Sequence, residues 1–480
     1  MCEGGGHVES QQSGEAALAG EHLIAFHPPT VSSNAIINVT NRFTRPSGYG
    51  SQSRVSTGES LSLSFICEVG YLLRYTSLEL ARIEMDFSLS PKVQKLQKRV
   101  ADFMDQHVMP IEKEVQLAMG ESGNTEPQVL KDVRKKAKAE GLWNLFLPDE
   151  KFGAGLSNHE YAPLCELMGK SQIGARAFNC MAPDTGNMEI LTEFGTPEQK
   201  KQWLQPCLDG EIRTCFSMTE PDTPGSDPTL LKTRAVRDGD NYVINGHKWF
   251  TSNAIGAAFA IAMVVTDPDA EPHRRASQII VPTDAPGFNL IRPVPVMGHT
   301  GGGGHCEVIY KDCRVPVTSL LGEEGGGFAI SQARLGPGRI HHCMRTIGIA
   351  ERAMELMCKR ANTRFTHGSL LADKANIQEW IADSRIEIDS CRLMVMNAAW
   401  KMDTEGKRNA RNEIAEIKVM CANMVMRVLD RSIQVHGAAG VSDDFPMARM
   451  WRDSRALRIA DGPDEVHRMT IARRELRKYR

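Results

Sequence analysis

Residues 216–227 read FSMTEPDTPGSD, a short apolar run that passes directly into a loop rich in Pro, Gly and Asp. Residues 242–253 follow as YVINGHKWFTSN, in which Asn245-Gly246 is typical of a tight hairpin turn. The two stretches predict strands that present hydroxyls and backbone amides beside apolar and aromatic faces. Such a surface suits a flat, hydrogen-bonding heterocycle. A simple surface turn is the alternative interpretation of each stretch taken alone.

The sequence on both sides of this β-rich middle is helical. Ser90-Pro91 begins a helix whose apolar residues keep helical spacing until Pro110, and Thr196 begins another with the spacing of a capping box. After Gly325 the apolar residues again recur at helical spacing in three stripes, the last of which ends at Gly437. The predicted order is helices, strands, helices, which is an α+β fold class.

The composition of the chain changes near residue 85. Residues 1–84 contain neither Lys nor Asp, are rich in Ser and show no sustained period, so we expect an N-terminal extension that is mostly disordered. Its early glutamates are not typical of a transit peptide. We expect the rest to divide into a helical domain at 85–210, a central β domain at 211–330 and a helical bundle at 331–480.

The composition also argues against several classes of protein. The 480 residues carry 57 basic and 59 acidic side chains, so neither nucleic acid nor an anionic lipid surface is an expected partner. The twelve cysteines include no CxxC pair and none of the spacings of a zinc site, so we expect reduced thiols and no metal. The near-apolar run at 254–265 is too short for a transmembrane segment and is expected to be a buried strand.

A second informative stretch, LRIADGPDEVHR, lies far from the first, at residues 457–468. It forms a polar break between helical segments and places Asp461 directly before Gly-Pro. A carboxylate at such a bend can project into a cavity, although a surface turn explains the same residues. The adjacent His341 and His342 point in different directions from a helix, so we expect core or surface positions for them.

Five motifs in a fixed order carry a resemblance to a known family. They are MTEP with its following loop (218–221), INGHKW (244–249), LGEEGGGF (321–328), QVHG (434–437) and ADG (460–462). From Met85 to Arg480 the chain resembles the acyl-CoA dehydrogenase family. Residues 334–343 and 460–467 most resemble its branch of family members 10 and 11.

The resemblance implies an N-terminal helical domain, a central β domain and a C-terminal four-helix bundle, in a homodimer or homotetramer. It implies that FAD lies between the β domain and the bundle, with Arg364 reaching the FAD of a neighbouring subunit. The residues that would contact FAD are Phe216, Met218, Thr219, Ser226, Phe250, Thr251, Ser252, Arg364, Gln434, Val435, Gly437, Ala438, Pro463 and Glu465. Ala438, Ala375 and His367 replace residues that are usual in the family.

The resemblance further implies the α,β-dehydrogenation of a fatty acyl-CoA to a trans-2-enoyl-CoA in fatty-acid oxidation. A base takes the α-proton while the β-hydrogen leaves as hydride to flavin N5, and an electron-transfer flavoprotein is a typical acceptor. Asp461 aligns with the base, where most of the family has Glu, and Arg339 is its expected charge partner. We expect desolvation to raise the pKa of this carboxyl. The residues that would contact substrate are Ser226, Leu335, Gly338, Arg339 and Gly462.

Two other functions stay open on the sequence. One is a flavin-dependent oxidase of the same fold, because nitroalkane oxidases of this superfamily use Asp as the base. The other is a flavoprotein that has become a non-catalytic assembly partner. The compartment is also open: fatty-acid oxidation favours the mitochondrion, the cytosol and the peroxisome are alternatives, and the C-terminal Lys478-Tyr479-Arg480 is not a peroxisomal address.

Overall fold

The first part of the structure is helical. The computed structural model describes residues 88–121, 126–299 and 304–480, and the extension expected at residues 1–84 lies outside these ranges. The helices are α1 (Pro91–Phe103), α2 (Glu112–Glu121), α3 (Gln128–Ala139), α4 (Asn158–Gly169), α5 (Gly174–Ala177), α6 (Asp184–Phe194), α7 (Pro197–Gln199) and α8 (Gln205–Asp209). A π-helical turn and a 3₁₀ turn join α1 to α2, and a second π-helical turn joins α7 to α8.

Both helix starts predicted from the sequence are confirmed. The Ser90 hydroxyl accepts a hydrogen bond from the backbone amide of Val93, and Thr196 forms a reciprocal capping box with Gln199. The predicted stop at Pro110 is wrong, because helical backbone continues through the 3₁₀ turn Met109–Ile111 into α2. Proline is tolerated there because the first turn of a helix needs no amide donor.

The middle of the chain forms one mixed sheet of eight strands. Seven strands lie in the order β6-β7-β3-β1-β4-β5-β8, and β2 pairs with β3 and β4. The strands are β1 (Arg213–Ser217), β2 (Arg234–Asp238), β3 (Asn241–Ser252), β4 (Ala257–Val265), β5 (Ala276–Pro282), β6 (Phe288–Pro293), β7 (His305–Pro316) and β8 (Leu320–Leu321). The buried strand expected at 254–265 is therefore confirmed as β4.

The predicted hairpin turn at Asn245-Gly246 is wrong. Both residues lie inside β3, and the chain reverses earlier, at Gly239 between β2 and β3. The pairing of β3 with β7 shifts register between Ile244 and Gly246, which marks a bulge. A Cβ at Gly246 would lie 2.3 Å from the Thr233 hydroxyl, so glycine is required here for a close approach and not for a turn.

The last part of the structure is helical again. Its helices are α9 (Gly327–Thr363), α10 (Ala375–Glu405), α11 (Arg411–His436), α12 (Met447–Arg455) and α13 (Asp464–Arg477), and a two-stranded hairpin, β9 (Phe365–Thr366) and β10 (Ser369–Leu370), lies between α9 and α10. As predicted, α11 ends before Gly437, which has a φ of 63°. Among the described residues, no helix has the length and apolar character that crossing a membrane requires.

A buried ion pair fixes the loop that leaves β1. Lys248 on β3 is fully buried, and its Nζ donates to a carboxylate oxygen of Glu220 at 2.9 Å and to the carbonyl of Met218 at 2.7 Å. The Glu220 carboxylate also accepts from the backbone amides of Lys232 and Thr233. Burial lowers the pKa of Lys248 to about 8, although Glu220 opposes this shift. The pair therefore sets the position of residues 218–220 against β3.

We predict that Lys248→Met lowers the free energy of unfolding by about 3–5 kcal/mol, because it leaves the Glu220 carboxylate buried without its cation. Arg314→Met is the matched control, since the Arg314–Asp238 pair is more than half exposed and is expected to contribute about 1 kcal/mol or less. Urea unfolding followed by circular dichroism measures both changes. Equal losses in the two variants would contradict the prediction.

Candidate active site

Asp461 occupies a strained turn between the 3₁₀ turn Ala456–Arg458 and α13. Its φ is 56° and that of Gly462 is 104°, both in the region that L-residues rarely adopt. The backbone carbonyl of Asp461 accepts a hydrogen bond from Arg339 Nε at 2.9 Å and lies 3.3 Å from His467 Nε2. Side chains of two helices, α9 and α13, therefore hold this turn.

The carboxylate of Asp461 has a close contact in addition to the expected charge partner. Its Oδ2 lies 3.1 Å from Nε2 of His342, and both side chains are more than three-quarters buried. The charge of Arg339 acts on this carboxylate as expected, while the guanidinium hydrogen-bonds the backbone carbonyl of Asp461. No sequence signal pointed to His342 as this partner, since the contact joins residues more than a hundred positions apart.

The pKa of Asp461 is shifted in the opposite direction to the expected one. Burial raises the pKa of this carboxyl, but the hydrogen bond from His342 and the charges of Arg334 and Arg339 outweigh burial and hold it well below its usual value. The expectation of a raised pKa is therefore wrong for this structure. A depressed pKa means that the carboxylate is ionised at neutral pH, and that its contribution to stability is lost as the pH falls below the ordinary pKa of an aspartate towards the lower pKa of the folded state.

Arg334 connects the Asp461 turn to the sheet. Its guanidinium carbon lies 4.2 Å from the centre of the Phe216 ring, a cation–π contact, and its Nε donates to Asn187 Oδ1 at 3.1 Å. Its positive charge interacts with the carboxyls of Asp461 and Glu189. Burial raises the pKa of Glu189 to about 8. Sequence reasoning missed Arg334, because only the fold brings α9 beside the end of β1.

The structure brings several of the expected FAD residues together where the interior strands β1 and β3 end, a region named the sheet edge. Phe216 on β1 lies opposite Ser252 on β3, and the Phe250 ring is 40% exposed. The Ser252 hydroxyl lies 2.7 Å from His305 Nδ1. Met218 and Thr219 are partly exposed in the loop after β1, and Ser226 is exposed further along that loop.

Thr251 faces away from this edge. Its side chain is fully buried, and its hydroxyl lies 3.3 Å from that of Ser217. The strand is irregular at this point, since Phe250 has a φ of 51° and the pairing of β3 with β7 shifts register between Lys248 and Thr251. The side chain of Thr251 is therefore not exposed at this edge, and the expected contact of Thr251 with FAD stays a prediction.

The other expected FAD residues lie in the C-terminal helices. Arg364 directly follows α9, and Gln434, Gly437 and Ala438 lie at the end of α11; all four are exposed. Val435 is buried instead, in a small apolar cluster that also contains Ala361, one turn before Arg364. The ends of α9 and α11 are therefore neighbours. Pro463 and Glu465 flank the start of α13, next to the Asp461 turn.

Three of the expected substrate residues lie on α9. Leu335, Gly338 and Arg339 are all partly exposed on this helix. A Cβ added at Gly338 would meet no atom within 4 Å, whereas one added at Gly462 would lie 2.8 Å from His467 Nε2. The two glycines therefore differ in kind: Gly338 borders free space, and Gly462 permits a tight turn.

This difference predicts opposite effects on stability. Gly338→Ala is expected to raise the free energy of unfolding by about 0.5–1 kcal/mol. Alanine has less backbone freedom than glycine in the unfolded chain, and it fits in the helix here without a clash. Gly462→Ala is expected to lower it by about 1–3 kcal/mol, because alanine is strained at a φ of 104°. Denaturant unfolding of the two variants measures both values, and a shift of the same sign in each would refute this assignment.

Comparison with known proteins identifies the class of protein that this fold and site define. Three family models match consecutive parts of the chain: acyl-CoA dehydrogenase N-terminal domain at residues 90–211, middle domain at 215–313 and C-terminal domain at 325–476. The chain is 51% identical to probable acyl-CoA dehydrogenase FadE2 of Mycobacterium tuberculosis over 398 residues, which cover 82% of this chain and 97% of that protein. The chain belongs to the acyl-CoA dehydrogenase family.

The resemblance to the member 10 and member 11 branch is also confirmed. The chain is 47% identical to acyl-CoA dehydrogenase family member 11 of Homo sapiens over 82% of its own length and 51% of that relative. It is 48% identical to family member 10 of Mus musculus over 81% of its own length and 37% of that relative. The chain thus spans about half, or less, of the length of these relatives.

Solved structures confirm the fold class. A protein of Mycobacterium abscessus assigned as an acyl-CoA dehydrogenase superposes with a TM-score of 0.79 at 46% identity, over 82% of this chain and 100% of that one. Butyryl-CoA dehydrogenase from Megasphaera elsdenii superposes with a TM-score of 0.71 at 28% identity, over 82% and 100% of the two chains. The chain is an oxidoreductase of this family, whose members are FAD flavoproteins.

Proposed function

We propose that this chain oxidises a fatty acyl-CoA to a trans-2-enoyl-CoA in fatty-acid oxidation, with Asp461 as the base that takes the α-proton. The observation that carries this proposal is the ionised, largely buried Asp461 carboxylate, fixed by His342 and close to the charge of Arg334. Arg334 in turn stacks on Phe216, at the edge of the sheet that suits a flavin. The side chain of Arg334 thus links the proposed base to the part of the sheet where FAD is expected.

The residues at the sheet edge fit an isoalloxazine ring. Phe250 offers an exposed aromatic side chain, Ser252 a hydroxyl two residues further on, and Met218 and Thr219 a partly exposed loop. The exposed Arg364 cation and the Gln434 amide suit the pyrophosphate and nucleotide. When bound, FAD accepts the β-hydrogen of the substrate as a hydride.

The side chains of the chain itself would prepare the α-proton for transfer. Asp461 provides a carboxylate oxygen, and the turn that carries it is held by the bond from Arg339 to its backbone carbonyl. The positive charge of Arg334 favours the ionised base before transfer. The free space beside Gly338 leaves room for the acyl thioester along α9.

The oligomer, the electron acceptor and the compartment belong to the same proposal. The exposure of Arg364 at the end of α9 supports a homodimer or homotetramer in which it contacts the FAD of a neighbouring subunit. The electron acceptor would be an electron-transfer flavoprotein, which members of this family use. Fatty-acid oxidation favours a mitochondrial location.

Asp461→Asn tests the proposed base. The variant is expected to keep the visible flavin spectrum, because asparagine has the same shape as aspartate and its amide oxygen can still accept from His342. Its anaerobic bleaching by a panel of acyl-CoAs of increasing length is expected to slow by about 10²–10⁴-fold, since an amide cannot act as a general base. Asp238→Asn is the matched control on an exposed carboxylate and is expected to bleach at the wild-type rate.

The same panel separates the alternatives. Bleaching of Asp461→Asn at the wild-type rate would contradict the assignment of Asp461 as the base. A wild-type flavin that no thioester bleaches, but that consumes O₂ with a nitroalkane, would favour the oxidase, which the Asp at the base position supports. No turnover with either substrate would favour the non-catalytic flavoprotein.

A further inference from the structure

His342 binds the carboxylate of Asp461 more closely than any other described side chain does. The His342 ring lies on α9, one turn after Arg339 and two turns after Arg334. Its Nε2 is 3.1 Å from Asp461 Oδ2. Of the two carboxylate oxygens, Oδ2 is the one that lies nearest to the ring. The contact therefore engages one oxygen of the carboxylate in particular.

The partner on the opposite side of the ring fixes the tautomer of His342. Arg345, one turn further along α9, places Nη2 at 2.9 Å from His342 Nδ1. A guanidinium nitrogen can only donate, so Nδ1 accepts and the ring proton lies on Nε2. The Nε2 proton is therefore the one available to the Asp461 carboxylate 3.1 Å away, and the ring stays neutral while Arg345 remains in place. Burial also lowers the pKa of His342, which favours the same neutral form.

We propose that His342 is a positioning residue for the base: it clamps Oδ2 of Asp461 and leaves Oδ1 to accept the α-proton. This inference rests on the function proposed for Asp461. A side chain one methylene shorter than Glu has a shorter reach, so a small error in its direction is harder to compensate. The contact across from α9 supplies a fixed direction for Oδ2.

The clamp also acts on the charge of Asp461. Removing the donor is expected to raise the pKa of this carboxyl, because a hydrogen bond to the charged form favours ionisation. The other charged and titratable groups around Asp461 come from α9, α11 and α13: they are Arg334, Arg339, Lys418 and His467. Arg345 acts on Asp461 only through the ring of His342. These groups are unchanged in the variants below.

Three substitutions at His342 distinguish the loss of a hydrogen-bond donor from a change in side-chain volume. His342→Phe keeps the ring and removes the donor, His342→Gln can place an amide near the former Nε2, and His342→Asn has a donor that reaches only as far as Nδ1. The flavin-loaded protein is mixed anaerobically with acyl-CoA across a range of pH, and the bleaching rate is recorded. Infrared difference spectra follow the protonated carboxyl band that Asp461→Asn abolishes, and so report the pKa of Asp461 directly.

We expect His342→Phe and His342→Asn to bleach about 10–100-fold more slowly, because small misplacements of a reacting group cost this much. The acidic limb of the pH profile should move to higher pH, and so should the pH at which the protonated carboxyl band appears. His342→Gln should recover most of the rate and the original limb. If His342→Phe does not fold, the comparison of Gln with Asn still decides, since these variants differ only in reach.

Three outcomes would overturn the proposal. These are a wild-type rate and acidic limb in His342→Phe, equal losses in the Gln and Asn variants, and slower bleaching with no movement of the carboxyl band. The proposed function fails separately, if Asp461→Asn bleaches normally. An inactive Asp461→Asn beside a fully active His342→Phe would therefore reject the clamp and keep the base.

Discussion

Helix α9 holds Asp461 by both its backbone and its side chain, and the candidate site depends on this double contact. Arg339 binds the carbonyl and His342 binds the carboxylate, while Arg334 from the same helix stacks on the end of β1. A residue at a φ of 56° persists only where its surroundings fix it. The long helix thus aligns a strained turn with the edge of the sheet.

The sheet edge is fixed by a comparable principle, since there too a carboxylate is surrounded by donors. On the helical side, cations surround one carboxylate and keep it ionised. On the sheet side, the Glu220 carboxylate receives the buried Lys248 cation and two backbone amides, so the loop after β1 cannot move without exposing unpaired charge. The two sides of the site are therefore stiff for electrostatic reasons, and Arg334 joins them.

Local signals in the sequence predicted the local structure well. The caps at Ser90 and Thr196 and the break at Gly437 are where the sequence placed them, because each depends on residues within one turn. The prediction of a turn at Asn245-Gly246 is wrong because glycine is favoured both in a turn and where another residue approaches closely, and here Gly246 is needed for the close approach of Thr233.

The contacts of the site could not be predicted in this way. Arg334 with Phe216 and His342 with Asp461 join elements more than a hundred residues apart, and no periodicity in the sequence indicates such pairs.

Glu189, the buried acid near Arg334, makes the stability of the fold depend on pH. Glu189 has a pKa of about 8 in the fold against an ordinary value of 4.5, so folding near neutral pH takes up a proton at this residue. Between these two values its contribution to stability falls as the pH rises, and the chain becomes harder to fold in mildly alkaline solution because of Glu189 and not because of Asp461.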